Sequence, residues 1–416
     1  MAIVALRGAT PIKDDIELQA HLAALLRLEN TGLLLGAGAS CSAGGKTMVK
    51  LWSDFVDTYP DETDWLLKHS FIEADALVAG DARKVPNVET LADSIEVALI
   101  EWTRSKDGLL EDLIKVRAAL FRSVVRAALL NEAWWTSVEG AESDHEALQH
   151  HRTILQKLVS ARQPGQASPW VFTTNYDLAV EWAAESIDLQ VVNGFLGLHS
   201  RRFSPQSFDL GFRNTQARGE ARFGCYNVYL AKLHGSLTWQ EHNEQLFEIP
   251  APLAWTRLEE FLNDPKMTDL GLMVLPRAAK YVQTVGFVLG ELLRRFSEFL
   301  SRPQTSLIIN GYGFGDEHIN RLLRSALLNP TLQLVIYFPE FAGETTSASL
   351  PSALRKLLAL KNPRVTVIGG GAAAYLEGLA NHLPDPLLYD GEMRRLEKML
   401  RDVTNGTQDS DVENLV

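Results

Sequence analysis

Short apolar runs alternate with longer amphipathic stretches along most of this 416-residue chain. Leu33 to Leu35, Trp170 to Thr173, Leu189 to Val192, Val228 to Leu233, Ser306 to Ile309, Leu332 to Phe338 and Val365 to Ile368 each read as a strand. They are mostly apolar at consecutive positions, as suits a strand covered on both faces. A further strand is predicted at Leu272 to Leu275. The stretches between them carry helical spacing. Asp15 to Glu29, Asp177 to Glu185 and Val282 to Leu300 are examples. After Asp316, a capping residue, Ile319, Leu322, Leu323, Ala326 and Leu327 fall on one helical face. Strand and helix in alternation predict an α/β fold with a doubly wound, mostly parallel sheet.

Residues 48–158 break that rhythm. Leu91, Ile95, Leu99 and Trp102 recur at helical spacing, as do Leu113, Val116, Leu120 and Val124. No strand interrupts them. A crossover between parallel strands needs only about a dozen residues, so this segment reads as an inserted helical subdomain. The sheet domain is then split between residues 1–47 and 159–401. Within it, 194–226 reads as a long functional loop or hairpin, and 240–270 as a second insertion. Residues 402–416 are polar and acidic and are expected to be a disordered tail.

Charge narrows the function. Lys and Arg number 40 against 52 Asp and Glu, so 40 − 52 gives −12. Nucleic-acid binding rests on clustered cations. Here the basic runs are only pairs such as Arg201-Arg202 and Arg394-Arg395, so no direct nucleic-acid contact is expected. The two cysteines, Cys41 and Cys225, cannot form a four-cysteine zinc site. Their scarcity fits a reducing cytoplasm. Residues 1–7 are too short for a signal peptide's apolar core, and no apolar run reaches membrane-spanning length.

Four strands end in a glycine or polar cluster: Gly36-Ala37-Gly38-Ala39-Ser40, Thr173-Thr174-Asn175-Tyr176-Asp177, His234-Gly235-Ser236 and Asn310 to Asp316. Open parallel sheets bind ligands outside the carboxyl ends of their strands, so all four would line one crevice. The first cluster reads as the turn of a Rossmann-like dinucleotide unit. Gly36 and Gly38 permit a sharp turn and close approach of a phosphate, and the next helix offers its N-terminus. Taken singly, each cluster has a plainer reading: a tight turn, a helix cap, a satisfied strand-end histidine, a loop leading into a helix. Their joint placement favours a site. Ser40 to Thr47 also approaches the G-x4-G-K-[ST] phosphate loop. It lacks the first glycine, and no strand ends in the Asp that would hold magnesium.

Gly36-Ala-Gly-Ala-Ser40, Thr173-Thr-Asn-Tyr-Asp177 and Leu233-His-Gly-Ser236 resemble, in order, three signatures of the sirtuin fold. Gly311-Tyr-Gly-Phe-Gly-Asp316-Glu-His-Ile319 resembles the fourth, in the form found in bacterial sirtuin-like antiphage-defence proteins. Val88-Glu89-Thr-Leu91 resembles the same branch. The resemblance covers roughly 30–40, 170–240 and 305–385 and implies NAD as substrate. By match, Gly36, Ala37, Gly38 and Ser40 would hold the diphosphate and nearby ribose. Asn175 would position water or the nicotinamide ribose, and Asp177 would contact the carboxamide. His234 would act as general base on the ribose hydroxyls. Gly311 and its neighbours, Asp316 among them, would line the adenosine end, and Thr174 and Gly235 would complete the NAD contacts.

The departures from the family redirect the expected chemistry. Sirtuin deacylases carry a four-cysteine zinc module, and this chain has no counterpart to it. Their Gly-Ile-Pro-Asp-Phe-Arg loop is also missing after Ser40. Their Thr-Gln-Asn reads Thr-Thr-Asn here, and a serine usual in the fourth motif is Gly313. Protein deacylation is therefore disfavoured, while hydrolysis of NAD to nicotinamide and ADP-ribose stays open, with no metal required. The resemblance further implies NAD depletion in antiviral defence and a homo-oligomer. It also implies control by a HerA-class hexameric ATPase partner. The alternative is a non-catalytic module that binds NAD or ADP-ribose and gates a partner.

Overall fold

The computed structural model describes residues 3–77, 85–137, 140, 146–163, 165–212, 215–216, 218, 227–271 and 282–385. The chain begins with a short hairpin, β1 (Val4–Arg7) and β2 (Thr10–Ile12), followed by α1 (Asp15–Leu26) and β3 (Asn30–Leu35). A run of helices follows: α2 (Met48–Thr58), α3 (Pro60–Lys68), α4 (Val88–Ser105), α5 (Leu110–Ala128), α6 (Ala133–Thr136) and α7 (Gln149–Ser160). The sheet resumes with β4 (Trp170–Thr173), α8 (Ala179–Glu185) and β5 (Gln190–Val192). Next come β6 (Phe195–Leu196), β7 (Arg201–Phe203), β8 (Asn227–Lys232), β9 (Trp239–His242) and β10 (Gln245–Glu248). The helices α9 (Ala251–Asn263) and α10 (Val282–Ser301) lead to β11 (Thr305–Asn310) and α11 (Glu317–Ala326). The described chain ends with β12 (Gln333–Tyr337), α12 (Ser352–Leu358), β13 (Val365–Gly369) and α13 (Leu376–His382).

The main sheet has the order β2-β1-β13-β12-β11-β3-β4-β8-β5. Its strands from β13 to β5 are parallel, and the β1–β2 hairpin adds an antiparallel edge. The doubly wound α/β fold expected from the alternation is therefore the fold observed. Alternate residues serve two cores: Leu33, Leu35, Val171 and Ile308 face one, and Leu34, Phe172, Leu307 and Ile309 the other. The first core contains Leu113, Leu120 and Val124 of α5 and is closed by α1 and α13. The helices of 48–160 thus pack into the core of the sheet domain itself. The second core is covered by α10, α11 and α12.

Several sequence expectations need correction. The opening residues are more than a lead-in to a helix. They form β1 and β2, strands of only four and three residues, too short to show a burial pattern. The glycine turn continues into a 3-10 helix, Ala37–Ala43, and the next α-helix, α2, begins only at Met48. Within 194–226, β6 and β7 form the hairpin foreseen there, and they join β10 and β9 from around the second insertion in a separate four-stranded antiparallel sheet, an association the sequence did not show. The predicted strand at 272–275, Cys225, and residues 386–416, including Arg394, Arg395 and the acidic tail, lie outside the described residues.

The buried histidines give the fold a sign for its acid response. His151 of α7 is 3 % exposed, and burial lowers its pKa to about 4, with His150 and Arg152 adding to the effect. A base whose folded pKa is depressed stays neutral in the native protein while the unfolded chain takes up a proton near pH 6.5. Its stabilisation is complete above that pH and is lost as the pH falls towards 4. At pH 5 the loss is on the order of 2 kcal/mol. His151→Leu is expected to flatten the fall in melting temperature between pH 6.5 and 4. An unchanged slope would show that this imidazole is not the titrating group.

Candidate functional site

The site follows from the register of four adjacent strands. Asn310 is paired with Leu35, Leu35 with Thr173, and Thr173 with Lys232. The last residues of β11, β3, β4 and β8 therefore form one row across the sheet. Gly311, Gly36, Thr174 and Leu233-His234 leave the sheet on the same line. The chain passes from β3 to β4 on one side and later places β11 on the other, so β3 is the topological switch point. A crevice at that place is the usual ligand site of such sheets. The topology brings all four sequence clusters to it.

The glycines are required by the packing of loop on loop. A Cβ on Gly36 would lie 2.5 Å from the Gly311 carbonyl oxygen, and one on Gly38 would lie 2.9 Å from Gly311 Cα. Gly311 has φ +68°, and a Cβ there would lie 2.1 Å from the Ala39 nitrogen. The Gly36 N–H donates to the Asn310 carbonyl and the Gly38 N–H to the Gly311 carbonyl, each at 3.0 Å. The turn therefore spends these donors on the neighbouring loop. Gly235 also has a structural reason, because its φ of +108° turns the chain after β8.

Asn175 is 9 % exposed and lies under the turn. Its Nδ2 donates to the Gly36 carbonyl at 3.0 Å and to Ser40 Oγ at 2.9 Å, while its backbone N–H donates to Thr173 Oγ1. This fixes the side chain and leaves its carbonyl oxygen as the acceptor for anything bound beside it. The Thr174 N–H donates to the Leu35 carbonyl, extending the β3–β4 ladder by one bond. Asp177 Oδ1 accepts from the Ala179 N–H at the start of α8. A cavity of about 120 Å³ opens here, bounded by Ala37, Ser40, Thr174, Asn175 and Asp177 on one side. Val88 of α4 and Val124, Ala127 and Ala128 of α5 close the other. The helical insertion thus walls the site, and Val88, part of a stretch singled out in the sequence, is one of its linings.

His234 and Asp316 meet across the mouth of the crevice. The His234 Nε2 lies 2.9 Å from Asp316 Oδ2. Their parent strands, β8 and β11, are three strand spacings apart, about 14 Å, so the pair bridges over the ends of β3 and β4. Asp316 Oδ1 meanwhile caps α11, accepting from the N–H groups of His318 at 2.7 Å and Ile319 at 3.0 Å. Burial pushes the Asp316 carboxyl up, but the His234 hydrogen bond, the helix N–H bonds and the histidine's charge outweigh it and hold the pKa below the usual carboxylate value. The single proton of Tyr312 Oη is shared between Asn320 Oδ1 at 3.0 Å and the Asp316 carbonyl at 3.2 Å, and Asn320 Nδ2 donates to the Phe314 carbonyl. The 312–316 loop is thereby held in one shape.

Sequence reasoning placed Asp316 at the adenosine end and did not connect it with His234. The two are 82 residues apart and share no local pattern. It also missed Lys232, which is 2 % exposed, donates to the Asp177 carbonyl, and pairs with Glu181 at 2.9 Å. This lysine ties the Asp177 turn to β8. Burial raises the Glu181 pKa, and Lys232 opposes the rise.

Among the described residues, no group of three His, Cys, Asp or Glu side chains is placed to hold a metal ion. Also among them, no helix is long and apolar enough to cross a membrane. A search of curated proteins finds no match to the chain. Residues 169–357 match the sequence-family model described as SIR2-like domain. The matched segment begins at β4, ends in α12 and contains three of the four clusters, the Gly36–Ser40 turn lying before it. With the parallel sheet and its row of strand ends, the match supports a sirtuin-like fold and is consistent with NAD-related chemistry.

Proposed function

We propose that the chain hydrolyses NAD at the nicotinamide–ribose bond, releasing nicotinamide and ADP-ribose. The observation that carries this reading is the His234–Asp316 pair above the row of strand ends that also carries Asn175. Bond cleavage leaves both electrons on the nicotinamide nitrogen, which departs neutral, and positive charge builds on the ribose. Water then bonds to the ribose carbon and yields a proton. With Asp316 ionised, His234 Nε2–H donates to it, and the imidazole's basic lone pair is held at Nδ1. His234 can then take a proton from a ribose hydroxyl or from water. Acid–base assistance of this kind contributes roughly 10²–10⁴-fold. The Asn175 carbonyl oxygen is fixed beside the cavity and serves to orient the water or the ribose. Asp177, with Ser40 and Thr174, borders the recess suited to the departing ring.

We place this activity in antiphage defence by NAD depletion, in a homo-oligomer controlled by a HerA-class ATPase. Support for that setting is the sequence resemblance to the defence branch. A second reading draws on a separate observation: Gly38 N–H, Asn175 Nδ2 and Ser40 Oγ are already engaged with one another or with the loop. A turn satisfied in this way also suits a module that binds NAD or ADP-ribose without turnover.

The test is to incubate the purified chain with NAD, alone and with a HerA-class ATPase, and quantify nicotinamide and ADP-ribose. Equal amounts of both are expected, with no acceptor needed. Saturable NAD binding without release in either state would replace the hydrolase by the binding module. A rate that depends on an added acceptor would point instead to deacylation or transfer.

A further inference from the structure

A second and larger cavity of about 350 Å³ lies between α11 and α12, lined in part by Phe314 and Gly315 of the 312–316 loop. Its size falls within the range of small-molecule sites. Arg321 and Arg324 reach it from neighbouring turns of α11, and Lys356 reaches it from α12. All three are exposed, and among the described residues none forms an ion pair. Three cations around one recess, without an ion-pair partner among the described residues, stand out on a chain of net charge −12. The rest of the lining is of two kinds. Phe314, Leu323, Ala353 and Leu357 provide an apolar wall, and Glu317 and Ser352 provide an acceptor and a hydroxyl.

We infer that this cavity binds a nucleoside phosphate at a site separate from the crevice at the strand ends. The cations suit phosphate oxygens, which arginine engages with paired N–H donors. The apolar wall suits the face of a base. Glu317 repels an anion, so it suits the sugar hydroxyls or an exocyclic amine instead. Asn320 also lines the cavity and is bonded to Phe314 and Tyr312 of the loop that carries Asp316. The recess and the His234–Asp316 pair therefore share one loop, whose Phe314 has the uncommon φ of +57°.

The test is calorimetric titration of the full chain with ADP as probe, repeated on Ala37→Glu, whose carboxylate at an exposed position lining the crevice repels a diphosphate there. One class of ADP binding is expected to persist in Ala37→Glu. It is expected to weaken at least tenfold in the triple variant R321A/R324A/K356A, whose melting temperature should match the parent's because the replaced side chains are exposed. Inorganic pyrophosphate is expected to compete more weakly than ADP. ADP binding wholly removed by Ala37→Glu would overturn the separate site and make the cations an extension of the crevice. Persistent binding that survives the triple variant, or no binding at all, would also overturn the inference. Pyrophosphate as effective as ADP would reduce the site to a bare phosphate site and refute the role of the apolar wall. None of these readings requires the chain to hydrolyse NAD, so failure of the proposed activity would be seen separately.

Discussion

His234→Ala is expected to lower nicotinamide release from NAD by about 10²–10⁴-fold while leaving the melting temperature nearly unchanged. The side chain is 15 % exposed, and Asp316, to which it is hydrogen-bonded, remains well supported by the N–H groups at the start of α11. Asp316→Asn should also reduce the rate, for a different reason. A carboxylate accepts only, so it holds the proton on Nε2. An amide can present an N–H instead and favour the opposite tautomer. The native pKa of Asp316 is depressed, so its stabilising contribution is present above its unfolded value near 3.8 and is lost as pH falls through the lower folded value. Asp316 thus stays ionised throughout the neutral range, and its titration should not shape the pH–rate profile there. Steady-state rates for the parent and both variants, with melting curves as control, decide the matter. An unchanged rate in His234→Ala would remove this histidine from the chemistry.

Gly311→Ala should be among the most destabilising single substitutions in the chain. A non-glycine residue in the left-handed region costs roughly 1–2 kcal/mol. The added Cβ would also lie 2.1 Å from the Ala39 nitrogen and 2.7 Å from the Gly38 carbonyl carbon. Both neighbours are backbone atoms in a buried turn, so they can yield only by separating the two loops. A total loss above about 3 kcal/mol is expected, read as a shift of the urea midpoint, with loss of any ligand bound at the turn. Gly313 supplies the internal comparison. It has no positive φ, and a Cβ there meets nothing within 4 Å. Gly313→Ala should fall between neutral and slightly stabilising, since it removes freedom from the unfolded chain. Equal effects at the two positions would contradict the loop-on-loop account.

The same comparison bears on Gly36 and Gly38. As sequence, they read as room for a phosphate. In the folded protein their missing side chains make room for Gly311 and Tyr312. The two explanations are compatible, because a turn pinned by its neighbour also holds its outer surface in a fixed shape. Stability measurements on glycine variants therefore report the inner contact, and only ligand binding reports the outer one.

Much of the fold was legible because its signals are local. An apolar run four or five residues long, a capping Asp at 316 and helical spacing in 319–327 each depend on near neighbours, and each matches the element observed. The position of the four clusters followed from a general property of parallel sheets, that loops at the carboxyl ends share one edge. Sequence was weaker where strands are short or at an edge, as in β1, β2, β6 and β7. Two to four residues there carry too little periodicity to distinguish a strand from a loop.

What the chain determined by itself was a parallel α/β sheet, a helical run between its first two central strands, and chemistry gathered at one row of strand ends. Tertiary structure decided which of those groups meet. It set Asp316 against His234, buried Lys232 beside Glu181, and turned Val88, Val124 and Ala127 into the wall of a cavity. Those contacts depend on strand order and on the path of long connections. No spacing along the chain encodes the approach of two residues on strands that are three places apart in the sheet.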